Sequence, residues 1–133
     1  MDKHIKEIEL EICNIDSSIK SINYAKKNSK ISGIDKKINF SRMDIEWLDT
    51  KFKKRSIDKM ASKMPSSNTL DLAKIYNEFF YQAEYILKDK GKIALLGKKD
   101  LIEKFALKYK FKITENRIII NGKESNELFV LSK

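Results

Sequence analysis

The sequence is poor in the residues that metal, disulfide and nucleophile chemistry requires. Its one cysteine, Cys13, excludes a disulfide framework within the chain and suits a reducing cytoplasm. With His4 as the only histidine, a zinc site has no ligand set, and neither a Ser-His nor a Cys-His nucleophile finds support. One proline and four glycines leave no room for a flexible linker. No repeat or low-complexity stretch is present. Apolar runs extend for only a few residues, so no segment is expected to span a membrane. The opening MDKHIKEIELEI has no continuous apolar stretch of the kind a signal peptide needs.

What is present fits one globular domain over residues 1–133. Hydrophobic residues make up 41% and charged residues 35%, enough apolar content for a core and too much for a disordered chain. The formal net charge of +9 favours polyanionic partners, RNA or DNA above all, because each neutralised phosphate releases counterions. Abundant Lys and Ile beside scarce Gly and Pro offer a second explanation, a thermophilic or AT-rich origin. Charge alone does not choose between them.

Periodicity gives the order of elements. Glu7 to Ile15 alternates Ile8, Leu10 and Ile12 with glutamates, a strand pattern ending at Asp16. Ser17 and Ser18 supply N-cap chemistry for a helix carrying Ile19, Ile22 and Ala25, with Gly33 as its stop. A second strand is expected over Lys37 to Ser41, followed by Asp44 and a short turn or helix packed by Ile45, Trp47 and Leu48. After a basic loop, Lys51 to Arg55, comes a third strand over Ser56 to Ser62. A proline loop follows, and Asn68 or Thr69 caps the longest helix, reaching Lys88. Its residues Leu72, Ile75, Tyr76, Phe79, Phe80, Ala83, Ile86 and Leu87 recur at helical spacing, which makes the aromatics core rather than a base-stacking platform. Gly91 is expected to end that helix before a buried strand over Lys92 to Leu96. Asp100 opens a further helix with Leu101, Phe105 and Tyr109 aligned. Strands at Phe111 to Ile120 and Glu127 to Leu131, joined through Asn121-Gly122, form a closing hairpin. Alternating strands and helices predict an α/β fold, mainly parallel, with an antiparallel C-terminal hairpin.

In such sheets ligands bind beyond the carboxyl ends of the strands. Asp16 stands at the end of the first, Asp44 at the end of the second, and Lys63-Met64-Pro65-Ser66 at the end of the third. A carboxylate at a strand end can accept two hydrogen bonds from a ribose diol. A neighbouring polar end can meet an adenine amine, and a proline loop can project carbonyls toward a substrate. Lys51, Lys53, Lys54 and Arg55, interrupted by Phe52, are candidates for RNA phosphate contact on the strand-end side of Asp44, with a solvated turn as the alternative.

These segments resemble a known family. C-N-I-D-S-S-I-K-S-I-N-Y-A-K-K-N-S-K-I-S-G-I is similar to the second motif of Rossmann-type methyltransferases, with Asp16, Ala25, Asn28 and Gly33 in the family's places. I-N-F-S-R-M-D-I-E-W-L resembles the next strand with its acidic end, Asp44. I-D-K-M-A-S-K-M-P-S-S resembles the strand and catalytic loop that usually read D-x-x-x-x-N-P-P-Y-G. L-A-K-I-Y-N-E-F-F-Y-Q-A-E-Y-I-L-K-D-K-G-K-I-A-L-L resembles the helix and strand that follow, and N-G-K-E-S-N-E-L-F-V-L-S-K the closing strand. The best match is to the THUMP-associated RNA methylases, which methylate the exocyclic amine of guanine in tRNA. The resemblance implies S-adenosylmethionine as cofactor, bound through Asp16, Asp44 and Ile45. It also implies a catalytic loop at Lys63, Met64, Pro65 and Ser66, with tRNA as partner.

The chain departs from the family pattern twice. No glycine-rich turn precedes Glu7, so the resemblance implies an incomplete Rossmann-like sheet lacking the central strand that cradles the methionine part of the cofactor. That gap would leave two strand edges open to a second polypeptide or a swapped copy of the chain. It points to a truncated product or one half of a split enzyme. In the loop, Lys63 occupies the Asn position and can only donate, Met64 replaces the first proline, and Ser66 offers no ring for stacking, worth ~1–3 kcal/mol in base binding. These losses weigh against catalysis by the chain alone and keep a second expectation open, a non-catalytic module binding RNA or protein.

Overall fold

The computed structural model describes residues 12–65, 71–121 and 124–133, with the backbone alone for residues 35, 120, 121 and 124–126. The chain divides into two compact units between Ile45 and Glu46. The first unit holds β1 (Ile12–Asp16), α1 (Ile19–Ser32) and β2 (Ile38–Arg42). The two strands run parallel, in register from Ile12 opposite Ile38 to Asp16 opposite Arg42. The expected start of β1 at Glu7 lies outside the described residues.

Local chemistry makes the strand-to-helix turn abrupt. Asp16 Oδ1 accepts from the Ser18 N–H at 2.8 Å, and Ser18 Oγ accepts from the Ser21 N–H at 3.3 Å. Two short polar side chains thus satisfy orphan donors at the entry to α1. At the exit, Gly33 takes φ 76°, a conformation disfavoured for residues with a Cβ, and the N–H groups of Gly33 and Ile34 bond the carbonyls of Lys30 and Ser29. Both ends fall where the sequence placed them.

The second unit begins in a 3-10 turn, Ile45–Trp47, that straddles the division. It continues through α2 (Leu48–Lys51), β3 (Ile57–Lys63), α3 (Leu72–Ile86), β4 (Leu87–Gly97), α4 (Lys99–Lys108), β5 (Lys112–Asn121) and β6 (Glu124–Ser132). Its sheet has the order β3-β4-β6-β5, with β3 and β4 parallel and the other pairs antiparallel. The mixed α/β class is therefore observed, with the closing hairpin as expected. Tyr76, Phe80, Ala83, Ile93, Leu95, Ile102, Phe129 and Leu131 are completely buried. The aromatic stripe of α3 is core, and Phe80 meets both Phe79 and Phe111 edge-on at 5.7 Å.

Both ends of α3 differ from expectation. The N-cap of α3 is Asp71, whose Oδ1 accepts from Lys74 N–H at 3.1 Å, while Asn68 and Thr69 lie outside the described residues. The helix stops at Ile86, not Lys88, and Gly91 is inside β4. The reason is sheet pairing. Ile57 pairs with Leu87 but Lys59 with Lys92, so residues 88–91 form a bulge that no helical period foretells. A Cβ on Gly91 would fall 2.4 Å from the Leu87 side chain, which explains glycine at this fold-back. Lys133 Nζ donates to the carbonyls of Glu84 and Leu87, closing the end of α3 with a cation.

Gly97, at the end of β4, marks an equally tight approach. A Cβ there would lie 2.4 Å from Tyr76 Oη and 3.3 Å from both Ile102 and Met64 side-chain atoms. The Tyr76 hydroxyl accepts from the Lys98 N–H at 2.9 Å, so it cannot retreat without orphaning that donor. Gly97→Ala is expected to destabilise by about 1–3 kcal/mol, and Tyr76→Phe to relieve part of that cost in the double variant, as a urea-unfolding mutant cycle would show. Burial, the largest influence, raises the Tyr76 pKa above its ordinary 10.0. Its contribution to stability is therefore complete below about pH 10 and lost as the pH rises further, a loss absent from Tyr76→Phe.

Candidate functional site

The two aspartates come together because β1 and β2 are parallel and stop level with each other. Asp16 is the last residue of β1, and Asp44 lies two residues beyond the end of β2. The Met43 N–H donates to the Asp16 carbonyl at 2.9 Å, carrying the ladder past the strand ends. Arg42 Nε donates to the Ser17 carbonyl at 3.1 Å, tying the same two exits together from the side chain. Asp16 is half-buried and Asp44 exposed; Ile45, at the end of this unit, is half-buried. One rim thus presents two carboxylates and an apolar side chain.

With one Asp16 oxygen held by the Ser18 amide, the carboxylate is oriented before any ligand arrives. An oriented carboxylate suits a vicinal diol, and Ile45 suits the face of a purine. This donor set fits the adenosine half of S-adenosylmethionine. Among the described residues no glycine-rich turn is available for the methionine half.

The third expected component stands in the other unit. At the exit of β3, the Met64 N–H donates to the Leu96 carbonyl at 2.8 Å and the Met64 side chain is buried against Gly97. Lys63 is exposed and Pro65 half-buried, while Ser66 lies outside the described residues. The three parallel strands expected side by side do not share one ladder. β1 pairs with β2, whereas β3 pairs with β4 in a separate sheet.

The basic loop stands at the entry of β3, since Lys51 to Arg55 precede the first residue of that strand. The Arg55 and Ser56 N–H groups bond the Tyr85 and Ile86 carbonyls at the end of α3. The seven residues of β3 separate this loop from Met64 by roughly 20 Å at the usual rise per residue. Lys53 and Lys54 are exposed, Arg55 pairs with Asp89 at 3.5 Å, and Lys51 Nζ lies 5.7 Å from the Phe52 ring centroid. Arg55 has φ 53°, an uncommon conformation for a residue with a side chain, held by its bond to α3.

Gln82 was missed in the sequence. It is 1% exposed, accepts from the Asp49 N–H at 2.8 Å, and donates to the Glu46 carbonyl and to Glu78 Oε1, both at 3.0 Å. It holds the segment leading from the 3-10 turn into the basic loop. A lone amide between Phe79 and Ala83 on an apolar stripe was the available signal. Among the described residues no group of three His, Cys, Asp or Glu can hold a metal ion. No described helix is long and apolar enough to cross a membrane.

Gln82→Ala should cost about 1–3 kcal/mol by leaving a buried N–H and carbonyl unpaired. Gln82→Glu should destabilise at neutral pH, where its carboxylate would face Glu78 and the Glu46 carbonyl. That penalty should shrink as acid protonates it, a sign that urea titrations at two pH values can read.

Comparison with known proteins came out as follows. The profile of a family described as RMKL-like, methyltransferase domain, matches residues 1–126. No curated protein was found to match. The structure is similar to TrmN from Thermus thermophilus, with 25% identity and a TM-score of 0.79, over 91% of this chain and 36% of that one. It is similar to SMU.472, a proposed methyltransferase complexed with SAH, with 22% identity and a TM-score of 0.74, over 93% of this chain and 32% of that one. A SAM-dependent methyltransferase from Methanosarcina mazei shares the fold at 11% identity and a TM-score of 0.75, over 91% of this chain and 81% of that one. The chain thus spans about a third of the length of the first two.

Proposed function

Because the chain belongs to the RMKL-like methyltransferase domain family, we propose that it carries the adenosine-binding rim and substrate loop of an S-adenosylmethionine-dependent RNA methyltransferase. The observation that carries this reading is the pairing of an oriented Asp16 with Asp44 at one end of two parallel strands. S-adenosylmethionine supplies an activated methyl group, and the protein's task is to hold it in line with the acceptor. Asp16 takes the ribose diol, while Asp44 and Ile45 flank the adenine. The acceptor we propose is the exocyclic amine of guanine in tRNA. An amine attacks through its own lone pair, so orientation supplies much of the rate. The Met64 and Pro65 carbonyls are the acceptors this loop offers for the amine hydrogens. The methionine half of the cofactor would be held by a segment beyond the described residues or by a second chain, which would make this polypeptide one half of a split enzyme.

One observation favours a second reading. Lys63, at the position where the amine needs an acceptor, is an exposed ammonium that can only donate. A methyltransferase-fold module that binds RNA or protein without catalysis would tolerate that residue. In the catalytic reading Lys51, Lys53, Lys54 and Arg55 contact phosphate, about 20 Å along the substrate from the reacting base.

Asp16→Ala is expected to weaken S-adenosylmethionine binding by about tenfold or more in calorimetry, since a hydrogen bond to a charged group is lost. Unchanged affinity would remove Asp16 from the site. Replacing all four basic residues by Gln should lower tRNA affinity and flatten its salt dependence, by a log-log slope of roughly one per lost phosphate contact. An unaltered slope would dispose of the phosphate role.

A further inference from the structure

The edge strand β5 is unusually unguarded. Among the described residues its only ladder partner is β6, so its other side presents a row of unpaired backbone groups. Every residue from Lys112 to Ile119 is exposed, including Ile113 at 37%, Ile118 at 66% and Ile119 at 40%. Edges usually carry charge of one sign to repel a second strand, whereas the charges of β5, Lys112, Glu115 and Arg117, are of mixed sign. The bulge between Ile113 and Glu115 is its one protective irregularity, and it leaves the strand regular from Glu115 onward.

The charges are arranged self-complementarily. Glu115 and Arg117 share one face of the strand and form an ion pair with each other. In an antiparallel pairing of two copies of β5 centred on Asn116, Glu115 of each copy stands opposite Arg117 of the other. A register centred on Glu115 or Arg117 sets that charge against its own copy. A register centred on Ile118 sets Arg117 against Ile119 and Glu115 against Asn121, leaving both charges without a partner across the seam. Opposite charges directly across strands stabilise a pair and like charges destabilise it, so the two-fold about Asn116 is selected. We infer that β5 is a self-association edge, at which a second copy of this chain adds its own β5 antiparallel about Asn116. The contact is isologous and closes at two copies. It is distinct from the family reading of the rim and does not depend on it.

The test uses charge reversal in the whole chain, with far-UV circular dichroism to confirm folding. Light scattering across a concentration series should show a dimer for the wild type. Arg117→Glu and Glu115→Arg should each weaken it by about tenfold or more, because each replaces attraction with repulsion twice over. The double variant Glu115→Arg/Arg117→Glu should restore the dimer. Mixing the two single variants should give a heterodimer in native mass spectrometry, since unlike charges then face each other at every position. A purely structural role for the ion pair within one strand produces neither the rescue nor the heterodimer. A wild type that stays monomeric, single variants that associate as well as wild type, or growth into open-ended aggregates would overturn the inference.

Discussion

Parallel pairing of β1 with β2, extended by the Met43 N–H bond to the Asp16 carbonyl, is the constraint on which the candidate site depends. Parallel strands joined by a helix must both exit at the same end. Any polar residue just past either strand is then delivered to one rim, whatever the helix between them does. The Asp16–Ser18 turn makes the delivery specific. It uses one carboxylate oxygen to start α1 and so fixes where the other oxygen points. The same side chain ends the strand and begins the helix, and in the proposed function it also takes the ribose diol.

In the second unit an analogous economy holds the loop after β3. Tyr76, buried in α3, caps the Lys98 N–H at the exit of β4, and Gly97 lets that hydroxyl approach while leaving room for Met64. Met64 therefore rests on a packed floor. This separates two kinds of departure from the family pattern. Met64 for proline keeps the carbonyl and fills the floor, whereas Lys63 for an acceptor changes what the loop can do. The basic loop belongs to the opposite end of β3, where its backbone is tied to the end of α3. A polyanion reaching both features has to span the length of the sheet.

Much of the fold was legible because it rests on local chemistry. Ser18 and Gly33 announce the limits of α1, and the 3.6-residue recurrence of Tyr76, Phe79, Phe80 and Ala83 announces the buried face of α3. What was illegible depends on pairing between distant segments. The bulge at residues 88–91 exists because β3 and β4 slip register there, so Gly91 read as a helix stop. The separate pairing of β3 with β4 likewise appears only once ladders are traced. Gln82 was hidden for a different reason. Two of its three hydrogen bonds join groups far apart in sequence, and in a linear reading it is one polar letter in an apolar helix.

The central claim is that the rim of β1 and β2 reads a ribose diol through Asp16. The most direct test is amide NMR of the labelled chain titrated with S-adenosylhomocysteine and with its 2′,3′-dideoxy analogue. The account predicts shifts at Asp16, Ser17 and Met43 to Ile45 with the natural nucleoside, and much weaker binding of the analogue. Equal affinity for the two ligands, or shifts that avoid those residues, would contradict it.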